Sequence, residues 1–305
     1  MSVIFHQPAT IQAALRQATA FLDKQGVADS RLAVEWLLSR ALDCARPELH
    51  LRQDEDLPPD VSRLLDIQVR RLAANEPLQY VQAEAEFMGH VFIADRRALI
   101  PRPETEQLVE TVLACGELWK TPPAIADVGT GSGCIVIALA LARAAGRYYA
   151  FDIDPAALDL ARENARRQGV GDQIRFAAGN LLDSLPPASL EAVVSNPPYV
   201  RTADWAKLPP MIRDYEPRTA LDGGPDGLAV IRHLITRAAR TLKPGGRLFM
   251  EIGDGQAESI AGLLKEGGFA DIAVRPDLAG KSRIATARRP AEHERKSTLI
   301  ASGNH

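Results

Sequence analysis

Apolar positions along the first 75 residues repeat with a helical period. Ile11, Leu15, Ala18 and Leu22 stand at i, i+4, i+7 and i+11, one face of a helix that stops at Gly26. Asp29 or Ser30 is expected to cap the next helix, which carries Leu32, Trp36, Leu37 and Leu38. Pro58-Pro59-Asp60 opens a third, with Val61, Leu64, Leu65, Val69 and Leu72 on its apolar face. Three or four short amphipathic helices with short links predict a small bundle. Its role stays open between a stabilising cap and a platform for a protein partner.

From Glu76 to Arg97 the period changes. Gly89 separates two short apolar runs in Phe87-Met88-Gly89-His90-Val91-Phe92, which predicts a hairpin bridging two domains. Pro101-Arg102-Pro103-Glu104 is a rigid, helix-breaking entry, and Thr105 or its neighbours begin a helix bearing Leu108, Val109, Val112 and Leu113. Beyond Thr121, short apolar runs alternate with helical patterns. Strands are expected at 124–128, 148–152, 174–178, 191–195, 246–252, 271–275 and 283–287, with helices near 134–145, 155–168, 227–242 and 255–266. This alternation predicts an α/β fold with a doubly wound parallel sheet. Ile135 to Ala142 is apolar throughout, and its alanine content and length favour a buried helix over a strand. Arg201 to Gly227 has little periodicity and reads as a lid or binding loop. Arg288 to His305 is polar, without a core pattern, and is expected to be disordered.

Composition narrows the class. The 305 residues are 46% hydrophobic and 25% charged, which suits a globular protein with two domains. No apolar run reaches the length of a membrane helix, so no membrane contact is expected. A net charge of -3 gives no bulk basic field for nucleic acid. Cys44, Cys115 and Cys134 are odd in number and widely spaced, which fits neither a disulfide framework nor a zinc site. No metal is expected, and a reducing cytoplasm is the simplest setting. A monomer is expected.

Candidate chemistry concentrates in two stretches. Ser195-Asn196-Pro197-Pro198-Tyr199 follows the buried run Ala192-Val193-Val194. Two successive prolines remove two N–H donors, leaving an amide side chain, carbonyl oxygens and an aromatic face. Such a mouth accepts hydrogen bonds and suits a planar –NH2 group conjugated to a π system. The second stretch, Asp127-Val128-Gly129-Thr130-Gly131-Ser132-Gly133, sits where a first strand turns into a first helix. It misses the dinucleotide fingerprint G-x-G-x-x-G, because Cys134 occupies the required third glycine position. Asp152, at the end of the second strand, can take both hydroxyls of a ribose, whereas Asp154 precedes Pro155 and suits a helix cap. A glycine turn without a pyrophosphate fingerprint, between two acidic strand ends, suits S-adenosylmethionine. Cys134 reads as a small helix residue rather than a nucleophile.

Asp127–Gly133, Asp152 and Asn196–Tyr199 resemble class I methyltransferases acting on planar amine or amide nitrogens. Glu76-Pro77-Leu78-Gln79-Tyr80, Ile100-Pro101-Arg102-Pro103-Glu104-Thr105-Glu106, Glu216-Pro217 with Ala220-Leu221, and Gly223-Gly224-Pro225-Asp226-Gly227-Leu228 narrow the resemblance. It points to the peptide chain release factor glutamine methyltransferases (the HemK/PrmC family) and runs to about residue 287. The resemblance implies a Rossmann-like S-adenosylmethionine-dependent methyltransferase domain with one antiparallel strand, at 101–287. It adds a small N-terminal helical substrate-recognition domain at 1–80, a hairpin linker at 81–100 and a tail at 288–305. It implies methylation of the glutamine of a Gly-Gly-Gln loop in class I release factors, with no direct nucleic-acid partner. Gly129, Thr130, Gly131, Ser132, Gly133 and Asp152 would hold the cofactor, with Asn180, Leu181 and Asn196 beside it. Asn196, Pro197, Pro198 and Tyr199 would hold the glutamine amide, with Asn196, Pro197 and Tyr199 as the catalytic set. At Asn180-Leu181 the family often has an acid and a bulky, often aromatic, residue, so this chain departs from the pattern at the adenine pocket. Sister glutamine methyltransferases of ribosomal protein L3 and adenine-N6 DNA methyltransferases share the acceptor loop. The Ile100–Thr105 segment favours the release-factor branch, and the net charge gives no hint of a DNA-binding face. A non-catalytic interaction protein is the alternative outside enzymes, and the intact glycine turn and acceptor loop argue against it.

Overall fold

Residues 10–180 and 182–291 are described by the structure, a computed structural model. Packing divides the chain into two units. One holds the described residues up to Glu84 together with Pro209–Tyr215; the other holds Ala85–Leu208 and the described residues from Glu216 onward.

In the first unit, α1 (Ile11–Lys24), α2 (Ser30–Ala41), α3 (Glu48–Leu51), α4 (Pro59–Ala73) and α5 (Leu78–Gln82) surround a core that includes Ile11, Leu22, Leu38, Leu65 and Val69. Thr10 starts α1, its Oγ1 accepting from the Ala13 N–H at 3.2 Å. Three residues expected inside face outward: Leu32, Trp36 and Leu64 are 41%, 43% and 44% exposed, while Ala33, Val34 and Leu37 are buried. Apolar residues lie on both sides of α2, so its period does not say which side is covered. The expected cap of α2 also differs. Asp29 holds the N-cap position at φ 50° without a side-chain cap bond, and the Ser30 hydroxyl donates to Val27 O. Tyr215, from the Pro209–Tyr215 segment, donates its hydroxyl to Ala74 O at 2.7 Å.

The second unit opens in a hairpin. β1 (Glu84–Phe87) and β2 (His90–Ile93) are joined by Met88 and Gly89, both at positive φ, as a two-residue type I′ turn requires. Phe87 and Phe92 meet edge to face at 6.1 Å inside the larger unit's core. Buried Asn164 accepts from Ile93 N and donates to Ile93 O and to Ser132 O, tying the hairpin to the glycine turn.

Then follow α6 (Pro103–Leu113), β3 (Ala124–Val128), α7 (Cys134–Ala142), β4 (Arg147–Asp152), α8 (Pro155–Arg167), β5 (Ile174–Ala178) and β6 (Leu190–Ser195). After α9 (Pro210–Arg213) come α10 (Ala229–Thr241), β7 (Leu242–Glu251), α11 (Ala257–Glu266), β8 (Ala270–Pro276) and β9 (Ser282–Arg288). Seven strands form one sheet in the order β5-β4-β3-β6-β7-β9-β8, with β9 antiparallel to both neighbours. Side chains alternate across β3: Ile125 enters the core beneath α6 and α7, while Ala124, Ala126 and Val128 enter the core shared with α10 and α11. Each expected strand is present, although β7 begins at Leu242 rather than at 246. α7 stops at Ala142, short of 145. Arg201 to Gly227 contains short helical segments at Thr202–Lys207, Pro210–Arg213 and Arg218–Ala220. The expected disordered tail lies outside the described residues beyond 291, and its first residue, Arg288, ends β9. Among the described residues no helix is long and apolar enough to cross a membrane.

Candidate active site

β3 and β6 are the adjacent strands at which the sheet order reverses, and a crevice forms at the carboxyl end of such a pair. A cavity of about 500 Å³ lies there, lined by Gly129–Ser132, Asp152, Asn180, Thr105, Asn196 and Pro198 and by Arg102 and Arg218.

The glycine turn is held from within. The Gly129 and Thr130 N–H groups donate to Phe151 O at 2.8 and 2.9 Å, Gly133 N–H to Thr130 O at 2.8 Å, and Gly131 N–H to Asp152 Oδ2 at 2.9 Å. A phosphate nest needs such N–H groups free. Here they are engaged, and Arg102 and Arg218 are each paired with an acid, Glu216 and Asp222. The turn therefore suits a ligand without phosphates. Asp152 supplies the complementary acceptor. Its oxygens take Gly131 N–H and Asp154 N–H, the latter at 3.0 Å. A carboxylate has about four lone-pair sites; roughly two thus remain for a ligand diol. Burial raises the Asp152 pKa. Asp154 caps α8, accepting from Ala156 N–H at 2.9 Å.

Asp127 lies beneath the turn, fully buried, and accepts from the Thr130 hydroxyl at 2.7 Å. Burial pushes its pKa up to about 7 from an ordinary 3.8. Between those values the folded chain keeps a proton that the unfolded chain has lost, so stability falls as pH rises through this window. Asp127→Asn removes that charge but adds an N–H donor needing a partner, so a net gain of about 1–2 kcal/mol is expected at pH 8. At pH 5 the gain should vanish. Melting curves of both proteins at the two pH values check this, and a less stable variant at pH 8 would contradict it.

The second stretch leaves β6 at Ser195, whose hydroxyl donates to Val128 O at 2.6 Å. Asn196 follows and donates Nδ2–H to Thr105 Oγ1 at 3.1 Å. The Thr105 hydroxyl in turn donates to Glu251 Oε2 at 2.6 Å, and the Tyr199 hydroxyl donates to Glu251 Oε1 at 3.2 Å. Burial raises the Glu251 pKa, and burial with the adjacent Glu251 carboxylate holds the Tyr199 phenol well above its usual range. Tyr199, partly buried, packs against the core shared with α10 and α11 and is absent from the cavity wall. Pro197 is buried and also absent from the wall.

Leu221 to Gly227 folds back on this stretch. Val200 N–H donates to Leu221 O at 2.9 Å and Gly223 N–H to Val200 O at 2.8 Å. A Cβ on Gly227 would stand 2.4 Å from Tyr199 O, and one on Gly223 would stand 2.7 Å from Pro198 O. Both positions therefore require glycine. Buried Glu216 pins the return of the loop, accepting from Arg102 Nη2 at 2.5 Å and from Ile100 N–H at 3.2 Å.

The structure thus brings Gly129, Thr130, Gly131, Ser132, Asp152, Asn180, Asn196 and Pro198 to one cavity. Gly133 lies off its wall: a Cβ there would meet Ile137 at 2.9 Å and Ala161 at 3.1 Å, so this glycine serves the packing of α7 on α8. Leu181 lies outside the described residues. Cys134 opens α7, and burial pushes its thiol up to about 12, which leaves it inert. Sequence reasoning gave no role to Glu251, and none to Arg102, Thr105 or Glu216 beyond their motifs. The one signal for Glu251 is an acid at the carboxyl end of an apolar strand.

Comparison with known proteins places both units. Residues 13–81 match the PrmC N-terminal domain and residues 105–208 the Methyltransferase small domain. A solved methyltransferase structure from Pyrococcus furiosus superimposes with a TM-score of 0.51 at 15% identity, covering 74% of this chain and 98% of that one, which shows the shared fold. The release factor glutamine methyltransferase of Moorella thermoacetica is 42% identical over 284 residues, 93% of this chain and 100% of its own. That of Geobacter sulfurreducens is 39% identical over 281 residues, 92% of this chain and 96% of its own. At this identity over nearly the full length of each relative, the chain belongs to the release factor glutamine methyltransferase family.

Proposed function

We propose that this chain methylates the side-chain amide nitrogen (N5) of the glutamine in the Gly-Gly-Gln loop of class I peptide chain release factors. The observation that carries the reading is that Asp152, with lone pairs left for a diol, and Asn196, whose Oδ1 has no partner among the described residues, wall one cavity. S-adenosylmethionine supplies the methyl group as a sulfonium electrophile and leaves as S-adenosylhomocysteine. Gly129–Ser132 and Asp152 would hold it, with Asn180 at the adenosine side. Asn196 Oδ1, on the cavity wall, accepts an N–H bond of the substrate amide. Fixed so, the nitrogen lone pair is aimed at the methyl carbon, and positive charge growing on nitrogen is stabilised. As the N–C bond forms the S–C bond breaks, and the nitrogen then releases its proton to water, so these residues need include no strong base. Tyr199, held protonated against Glu251, fixes the loop. The helical unit serves as the platform for the release factor.

Transfer of labelled methyl from S-adenosylmethionine tests this reading. Label should enter an intact release factor, enter its Gln→Ala loop variant at background level, and leave ribosomal protein L3 and duplex DNA unlabelled. A short Gly-Gly-Gln peptide should be a far poorer substrate than the intact factor if the helical unit recognises the partner. Labelling of DNA, or of the Gln→Ala factor, would overturn the proposal.

A further inference from the structure

One buried carboxylate is tied to the acceptor stretch twice, to Tyr199 directly and to Asn196 through Thr105. Glu251 is 1% exposed at the carboxyl end of β7, and each of its oxygens accepts one hydroxyl, from Thr105 and from Tyr199. Thr105 is itself 2% exposed, in the first turn of α6. A threonine hydroxyl has one proton. Once that proton is given to Glu251, Thr105 Oγ1 can offer Asn196 only lone pairs. Asn196 must then meet it with Nδ2–H, as observed, and its Oδ1 is turned away from Thr105. An asparagine side chain is nearly symmetric in shape, so packing alone would not set this orientation.

We propose that Thr105 and Glu251 are positioning residues that set the hydrogen-bond polarity of Asn196, making it present an acceptor rather than a donor to the substrate amide. This rests on the methyl-transfer reading above and assigns the two residues a role in it. The chain Asn196 N–H to Thr105 O, Thr105 O–H to Glu251 runs in one direction while Glu251 only accepts. The geometry gives Glu251 the acceptor's part, since each of its two oxygens is already taken by one hydroxyl, from Thr105 at 2.6 Å and from Tyr199 at 3.2 Å. If the direction reversed, Thr105 would donate to Asn196 Oδ1 and the NH2 would face the substrate amide. Donor would then meet donor.

Thr105→Val keeps the shape and removes the hydroxyl. Turnover should fall by about tenfold to a hundredfold, with KM for a Gly-Gly-Gln substrate and affinity for S-adenosylhomocysteine within about threefold of wild type. Thr105→Ser should restore turnover to within about threefold, since it keeps the hydroxyl. In an Asn196→Ala background, Thr105→Val should add less than about threefold, because the group it positions is gone. Additive losses would make Thr105 a structural residue and overturn the proposal. A readout independent of turnover is selective 15N-asparagine labelling, with the Asn196 NH2 pair identified by its loss in Asn196→Ala. That pair should shift in Thr105→Val and in Glu251→Gln and hold in Thr105→Ser; an unmoved pair in Thr105→Val would also overturn the proposal. The NMR arms need no transfer, so failure of the methyl-transfer reading shows itself separately, as an absence of labelling by the wild type.

Discussion

Asn196→Ala should cut turnover of a Gly-Gly-Gln substrate by about a hundredfold to a thousandfold, the cost of removing one preorganised partner of developing charge. Its affinity for S-adenosylhomocysteine should change by less than about tenfold. The difference follows from position. Asn196 stands on the cavity wall with its Oδ1 unclaimed among the described residues, whereas the glycine turn and Asp152, which would hold the cofactor, are tied to each other. Losing the Asn196 side chain leaves the Thr105 hydroxyl bonded to Glu251, so the buried network below the site survives. Asn196→Asp is a different perturbation. It keeps an acceptor oxygen but sets a second carboxylate beside Thr105 Oγ1, whose proton is already given to Glu251. Two acids would compete for one hydroxyl, and the added charge favours the sulfonium ground state over a transition state in which charge is spreading. The Asp variant should therefore bind cofactor and remain slow. Steady-state kinetics beside calorimetry decide the matter. Near-normal turnover in the Ala variant, or a loss of affinity equal to the whole loss of rate, would sink the acceptor role.

The parts of the site legible in the sequence are those whose residue types have few other uses. Asn196-Pro197-Pro198-Tyr199 after a buried strand, and three glycines between Asp127 and Cys134, carry their conformational meaning locally. The sheet was legible for the same reason, since each strand is a short apolar run bounded by breakers. What stayed hidden is what closes only in three dimensions. Thr105 meets Glu251 across 146 residues, and Arg102 meets Glu216 across 114. A glutamate at a strand end has no local mark that tells a buried hub from a solvated terminus. The outward turn of Leu32, Trp36 and Leu64 was hidden by the opposite fault, too many apolar residues for the period to choose a face. Gly223 and Gly227 stood in the sequence only as motif residues of an aperiodic loop. Their backbones instead approach Pro198 O and Tyr199 O too closely for any side chain.

Asp152→Ala should weaken binding of S-adenosylhomocysteine by about a hundredfold to ten-thousandfold. Two ribose hydroxyls donating to an ionised acceptor contribute roughly 1.5–3 kcal/mol each, and each 1.4 kcal/mol is about tenfold in affinity. The carboxylate is suited to that task because its other lone pairs are already committed, to Gly131 N–H and Asp154 N–H, which fix its plane against the glycine turn. That dual use makes a simple loss of affinity ambiguous, since a slackened turn would also bind poorly. Asp152→Asn separates the two contributions. The amide oxygen can keep the Gly131 bond, while the NH2 group faces an N–H or a hydroxyl proton where an acceptor is required. Its loss should fall between those of wild type and Ala. The ribose itself gives the sharper control. A 2′-deoxy form of the ligand removes one donor, so wild type should bind it about tenfold to a hundredfold more weakly than the parent nucleoside. Asp152→Ala should hardly distinguish the two ligands, because the acceptor for that hydroxyl is gone. Equal discrimination by wild type and by Asp152→Ala would place Asp152 away from the ribose and leave it a brace for the glycine turn.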